Sequence, residues 1–258
     1  MESNLIVENI LNNFWFEKIN SEVIETNQED EVNQLLKYIY EFQQGNFGCK
    51  DEFAEFFLNA SDDDVFIVGM RLFMAIANHK DFGLLEKFLE ESEEDEIRVF
   101  LAYVYESLSL QAIPYLLALH EEWEETEVGE DIARTICSML GVRYNADEIC
   151  DTEDLADIYM DFAKDHDLHK YYYDGEEFFS GNLTKLIIRV ATDCKNRNIS
   201  FYTDQPSSIL SNSFGVMCPI SYGTIIDDDK IKEVYDYVTK ISVIQQEKGV
   251  KYFYGHEV

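Results

Sequence analysis

"AIPYLLALHEEWEETEVGEDIARTICSMLG" (Ala112–Gly141) reads as two apolar helices joined by a glutamate-rich corner. Ile113, Leu116, Leu117 and His120 recur at helical spacing, and Pro114 falls where a helix start tolerates a missing N–H. Ile132, Ile136, Met139 and Leu140 form the stripe of the second helix, with Gly141 as its stop. Between the stripes, Glu121, Glu122, Glu124, Glu125 and Glu127 surround Trp123.

Working outward, an acid followed by a β-branched apolar residue recurs at Asp64-Val65, Glu96-Ile97 and Asp131-Ile132, at spacings of 32 and 35 residues. Periods of that size predict stacked helix pairs that bury a shared core. The proline-led stripe, acidic corner and second apolar helix resemble a HEAT-type repeat, clearest over residues 61–141. Upstream, Val32, Leu35, Leu36, Ile39 and Phe42 predict a helix ending near Gly45, and Phe53, Phe56 and Phe57 a short one. Ser61 and Asp62 are candidate caps for the helix that follows.

Downstream, 142–258 is expected to be a helical extension. Leu155, Ile158, Tyr159 and Phe162 predict one helix, Leu183 to Cys194 another, and Asp229 to about Lys248 a long last one. "HKYYYDGEEFFSGN" reads as a polar-aromatic loop. Asn198–Gly223, rich in Ser, Asn and Gly, reads as a long packed loop with a short strand at "ISFY". No segment has linker composition, so the expectation is one mainly all-α domain spanning 1–258.

Twenty Lys and Arg face 52 Asp and Glu, a net charge of −32. Such a field repels nucleic-acid phosphate and anionic membranes, and speeds encounter with basic proteins. With 46% hydrophobic residues over 258 positions, a core forms without disulfides or metals. Cys49, Cys137, Cys150, Cys194 and Cys218 are scattered, with no CxxC, which predicts reduced thiols. "MESNLIVENI" lacks a basic region followed by an apolar run, and no apolar stretch reaches the ~18 residues of a membrane span. A cytoplasmic protein is expected.

Chemistry leaves little trace. No G-x-S-x-G elbow, GxGxxG or phosphate-binding P-loop occurs. His166 and His169 in "DHDLH" could share one side of a turn as metal ligands, yet no third ligand is marked. His79, His120 and His256 stand alone, His120 as a partly buried member of its stripe. "DTED" (151–154) and "DDDK" (227–230) miss the spacing of a calcium loop and read as helix N-termini. Neither a catalytic residue, nor a metal site, nor a cofactor is predicted.

Protein binding is the better lead. Glu90, Glu91, Glu93, Glu94, Asp95 and Glu96 form one acidic corner, and the glutamates around Trp123 another. In a stacked solenoid successive corners line one edge. The predicted contact residues are Glu93, Glu94, Asp95, Glu96, Glu121, Glu122, Trp123 and Glu124, with Trp123 as aromatic anchor. "YYYDGEEFF" adds Tyr171, Tyr172, Asp174, Glu176 and Glu177. The competing readings are plain: helix corners in an acidic protein carry glutamate, and the tyrosines form a buried cluster.

"AIPYLLALHEEWEE", "YYYDGEEFF", "CPISYGTIIDDDK" and "KGVKYFYGHEV" together resemble a bacterial immunity family of polymorphic toxin systems, immunity family 47, from about Trp15 onward. The resemblance implies a cytoplasmic inhibitor that binds a cognate toxin domain and blocks it. Many such toxins are basic nucleases, whose surface an acidic inhibitor would occupy. Two rivals remain: an acidic helical scaffold for an endogenous partner, and a metal-dependent enzyme using His166 and His169. The toxin's identity, the face it presents and the oligomeric state stay open.

Overall fold

A computed structural model describes residues 2–13, 16–20, 30–146, 149 and 151–258; Cys150 lies outside these. Among them the chain is mainly helical: α1 (Glu2–Asn13), α2 (Glu31–Gln43), α3 (Lys50–Leu58), α4 (Asp63–Ile76), α5 (Glu86–Glu91), α6 (Glu94–Val104), α7 (Ile113–Trp123), α8 (Glu127–Met139), α9 (Thr152–Asp165), α10 (Ser180–Arg197), α11 (Gln205–Phe214) and α12 (Asp228–Ile241). Two small antiparallel ladders complete it, β1 (Tyr172–Tyr173) with β2 (Glu176–Glu177), and β3 (Tyr252–Phe253) with β4 (His256–Glu257).

Capping residues set the helix starts. Asp62 accepts from the amides of Asp64 and Val65, Asp151 from Asp154 and Asp227 from Lys230, so the acidic runs are helix N-termini, as expected. Helix α4 is apolar nearly all round, with every residue from Val68 to Ile76 buried, and so becomes the centre of the fold. It packs against α1, α2, α3 and α6; α6 packs on α8, α5 on α7, and α7 on α8 and α9. The three recurrent acid–apolar pairs thus fall near the starts of α4, α6 and α8, which lie side by side.

A second apolar cluster is built from α10, α11 and α12 around Ile187, Phe201, Leu210 and Val234. Charged residues sit in the seam between the two clusters. Arg71 of α4 is 2% exposed; its guanidinium donates to the Ile10 carbonyl at 3.0 Å and to Ser208 Oγ at 2.9 Å, and lies 3.5 Å from Glu106. Ser208 in turn donates to Glu106 Oε1 at 2.8 Å. Lys251 donates to the Met74 and Ala77 carbonyls at 2.6 and 3.0 Å, closing the C-terminal end of α4. Burial pushes the Glu106 carboxyl up, against the pull of Arg71, and pushes the Lys251 amine well down.

Three expectations are corrected here. Asn198–Gly223 is not a loop throughout, because α11 runs from Gln205 to Phe214 with Pro206–Phe214 all buried. Serine and asparagine are weak helix formers, but burial between two cores overrides propensity, and the small side chains allow close approach. "ISFY" makes one bridge, Ser200 to Ile225, rather than a strand. The last helix stops at Ile241 instead of near Lys248, leaving Val243 80% exposed.

"YYYDGEE" is a hairpin rather than a loop. Asp174 and Gly175 both have positive φ, as a two-residue hairpin turn requires. The turn docks on the end of α8: Gly175 N donates to the Met139 carbonyl at 3.1 Å, and a Cβ on Gly141 would collide with the Asp174 carbonyl. The terminal hairpin repeats the device on α11. Tyr254 N and Gly255 N donate to the Asn212 and Ser213 carbonyls, and the Tyr254 ring closes on Gly215.

Candidate protein-binding surface

The two acidic corners become neighbours. The first joins α5 to α6 and the second joins α7 to α8; since α5 packs on α7 and α6 on α8, residues 90–96 and 121–127 share one edge. Glu93, Glu94, Asp95, Glu121, Glu122, Glu124, Glu125 and Glu127 are exposed there, while Glu96 and Trp123 are half-buried. Trp123 leans on the main apolar cluster and offers only part of its ring to solvent.

Several of these acids also have local structural duties. Glu93 and Glu96 form a capping box at the start of α6, with Glu93 N donating to Glu96 Oε2 at 2.8 Å. Arg98 pairs with Glu94 at 2.8 Å and reaches Asp131 of α8 at 2.9 Å, bridging the two helices. Arg134 pairs with Glu130 one turn along α8. Water screens pairs this exposed, so their role in stability is small. Glu121, Glu122, Glu124, Glu125 and Glu127 enter none of the ion pairs formed among the described residues.

Backbone packing holds the second corner. Thr126 caps α8 through Gly129 N at 3.1 Å, and its hydroxyl donates to the Trp123 carbonyl at 2.6 Å. A Cβ on Gly129 would strike that same carbonyl, so glycine lets α8 leave α7 this tightly. Its importance does not stand out in the sequence; "TEVGED" gives only a weak signal, a glycine in the first turn of a helix.

The hairpin residues lie elsewhere. Asp174 and Glu176 are exposed, but their turn abuts the C-terminal end of α8, about 20 Å along that helix from the corner at its start. Glu177 is half-buried and pairs with Lys248 at 3.4 Å. Tyr171 and Tyr172 are 6% and 5% exposed: they belong to a buried tyrosine cluster, the competing reading, and they do not present a surface. Tyr171 stacks on His79, while Tyr172 packs edge-on to Phe162 and its hydroxyl donates to the Asp167 carbonyl at 3.1 Å.

His79 and His120 are built into the packing, whereas His166 and His169 are exposed. His166 stacks on Phe162, with ring centroids 3.8 Å apart, and its Nδ1 is 2.8 Å from the Phe162 carbonyl. The backbone N of His169 donates to Asp167, and its carbonyl lies 3.0 Å from His79 Nε2. Nδ1 of His120 meets Thr152 Oγ1 at 2.7 Å. Burial lowers both His79 and His120 below the ordinary value of 6.5. Among the described residues no three His, Cys, Asp or Glu side chains are grouped to hold a metal ion, and no helix is long and apolar enough to cross a membrane. Cys49, Cys137, Cys194 and Cys218 are free thiols.

One exposed apolar feature is hidden in the sequence. Around the Ser200–Ile225 bridge, Tyr202, Tyr222 and Ile225 are 52, 66 and 78% exposed. Their setting in a Ser- and Gly-rich stretch conceals them, since isolated apolar residues there read as loop packing.

The chain belongs to the family described as Immunity protein 47, whose model matches residues 10–258. No curated protein and no solved structure matches it.

Proposed function

We propose that the chain is a stoichiometric inhibitor of a cognate bacterial toxin domain, acting in the cytoplasm by covering that domain rather than by chemistry. Membership of an immunity family over nearly the whole chain carries this reading. The acidic edge suggests how it works. With a net charge of −32, the chain attracts a basic partner from a distance, and a nuclease must be basic where it holds phosphate. The edge formed by Glu93, Glu94, Asp95, Glu121, Glu122 and Glu124, with Trp123 as partial anchor, is the face offered to it. Asp174 and Glu176 would meet only a partner large enough to reach the far end of α8.

A tagged pull-down from the source cells tests the reading. One polypeptide with a basic C-terminal domain should co-purify near one-to-one. That domain should stop growth when expressed alone and be tolerated when co-expressed with this chain. Recovery of housekeeping proteins only, with no growth-stopping partner under any condition of culture, would point to the scaffold reading instead.

A further inference from the structure

A groove of about 660 Å³ opens between α5 and α7, on the edge that carries the acidic corners. Leu89 and Leu119 form its floor and are only 5% and 4% exposed. Ala118 is exposed in its α7 wall. Glu86 and Glu90 stand one turn apart on α5, and Glu122 stands one turn beyond Ala118 on α7. No ion pair among the described residues engages these three carboxylates, because Arg98 and Arg134 are committed to Glu94, Glu130 and Asp131 on the α6–α8 side. Lys80 is the one lysine or arginine among the described residues of the lining.

We infer that this groove receives a basic, partly apolar segment of the partner: an arginine or lysine whose aliphatic stem lies along Leu89, Ala118 and Leu119 while its cation reaches Glu90 and Glu122. The inference deepens the toxin-binding reading and rests on it for the partner's identity. Long basic side chains bury their stems on apolar surface and keep the charged head at a polar rim, which is the pattern this groove offers. Arginine fits best, since its planar fork can serve two carboxylates and it is favoured at binding hot spots. A neutral apolar segment would instead strip water from three carboxylates and give them no partner. An acidic segment, or a phosphate, would meet like charge. The volume is that of a small-ligand cleft, with room for more than one side chain.

Short random peptides displayed on phage, selected on the immobilised full chain, provide the test. Enriched peptides should carry arginine or lysine beside leucine or an aromatic residue. Their affinity should fall about tenfold or more for Ala118→Trp, which plugs the groove, and for Glu90→Lys/Glu122→Lys, which reverses its rim. All three positions are exposed, so both variants should melt with the wild-type chain, and circular dichroism checks this. Acidic or neutral winners, winners that bind both variants as tightly as the parent, or no enrichment at all would each overturn the inference. No toxin takes part in the selection. Its failure therefore leaves the toxin-binding reading untouched, whereas failure of growth protection by the unaltered chain sinks that reading and leaves the peptide result standing.

Discussion

Charge occurs in two opposite settings in this molecule. On the α5–α8 edge the carboxylates are numerous, exposed and mostly without a cation beside them. In the seam between the two apolar clusters there are only a few charges, Arg71, Glu106 and Lys251, each 7% exposed or less and tied to named groups. The edge is screened by water, so each charge there matters little to folding, and on the proposed function it serves encounter with a partner. The seam is shielded from water, so each charge there fixes how α1, α4, α11 and the C-terminal strand meet, and does nothing at the surface.

The largest effect is expected in the seam. Arg71→Met should cost about 3–5 kcal/mol, because it strands the Glu106 carboxylate in a dry site along with the Ile10 carbonyl. Arg71→Met/Glu106→Leu should cost clearly less than the sum of the single changes, since no buried charge is then left unpaired and only the Ile10 carbonyl lacks its donor. Urea unfolding of the three variants measures this. Additive losses would mean that the pair is not coupled, and the contrast between seam and edge would fail.

That seam could not be read from the sequence. Arg71 sits in "GMRLFMAIAN" like any helix arginine, and Lys251 in "GVKYFYG" like any surface lysine; only the fold shows what they face. Several helices and their caps were more legible. The stripes of α2, α4, α6 and α8 fall where helical periodicity puts them, as do the aspartate caps, because apolar spacing and capping are local properties. Two of the failures share a cause. Helix α11 is buried from Pro206 to Phe214 and the hairpin's Tyr171 and Tyr172 are buried, so neither stretch shows an alternation of polar and apolar faces, and serine and tyrosine both have polar tips that pass for solvent exposure. For the candidate surface, the sequence offered the burial of Tyr171 and Tyr172 only as a competing reading, and the structure buries both.

Backbone fit at the acidic corner comes next in size. Gly129→Ala should cost about 1–3 kcal/mol, since the added methyl would force α8 away from the Trp123 carbonyl. Thermal melting of this variant beside Glu121→Lys/Glu122→Lys sharpens the comparison: a residue with no side chain should matter to folding where its charged neighbours do not. Equal melting temperatures for Gly129→Ala and the parent would show that the corner is looser than it looks.

Two histidines, His79 half-buried and His120 buried, give a smaller, pH-dependent effect. His79 and His120 are both held below 6.5 by burial, so between their folded values and 6.5 the unfolded chain binds protons that the folded chain refuses. Their contribution to stability is complete above 6.5 and is lost as pH falls through that window. Urea midpoints should therefore decline from pH 7 toward pH 5.5, and His79→Gln/His120→Gln should flatten the decline. An unchanged slope in the double variant would assign the pH dependence to the carboxylates instead.

The smallest effect on folding should accompany the largest effect on the partner. Reversing Glu93, Glu94, Glu121 and Glu124 to Lys changes the net charge from −32 to −24, since each reversal adds two units. Loss of the capping box costs on the order of 1 kcal/mol, partly offset by weaker self-repulsion among the remaining acids. Loss of the exposed Glu94–Arg98 pair adds little to that. On the proposed function, association with a basic partner depends on the same charges through the field they make together. Its rate should fall by roughly tenfold or more at low salt, with the gap to the parent narrowing as salt rises and the field is screened. Rate and equilibrium measurements at two salt concentrations separate the outcomes. A salt-independent loss would indicate direct contacts rather than steering, and no loss at all would take the acidic edge out of the interface and leave the exposed tyrosines around Ser200 and Ile225 as the face to test.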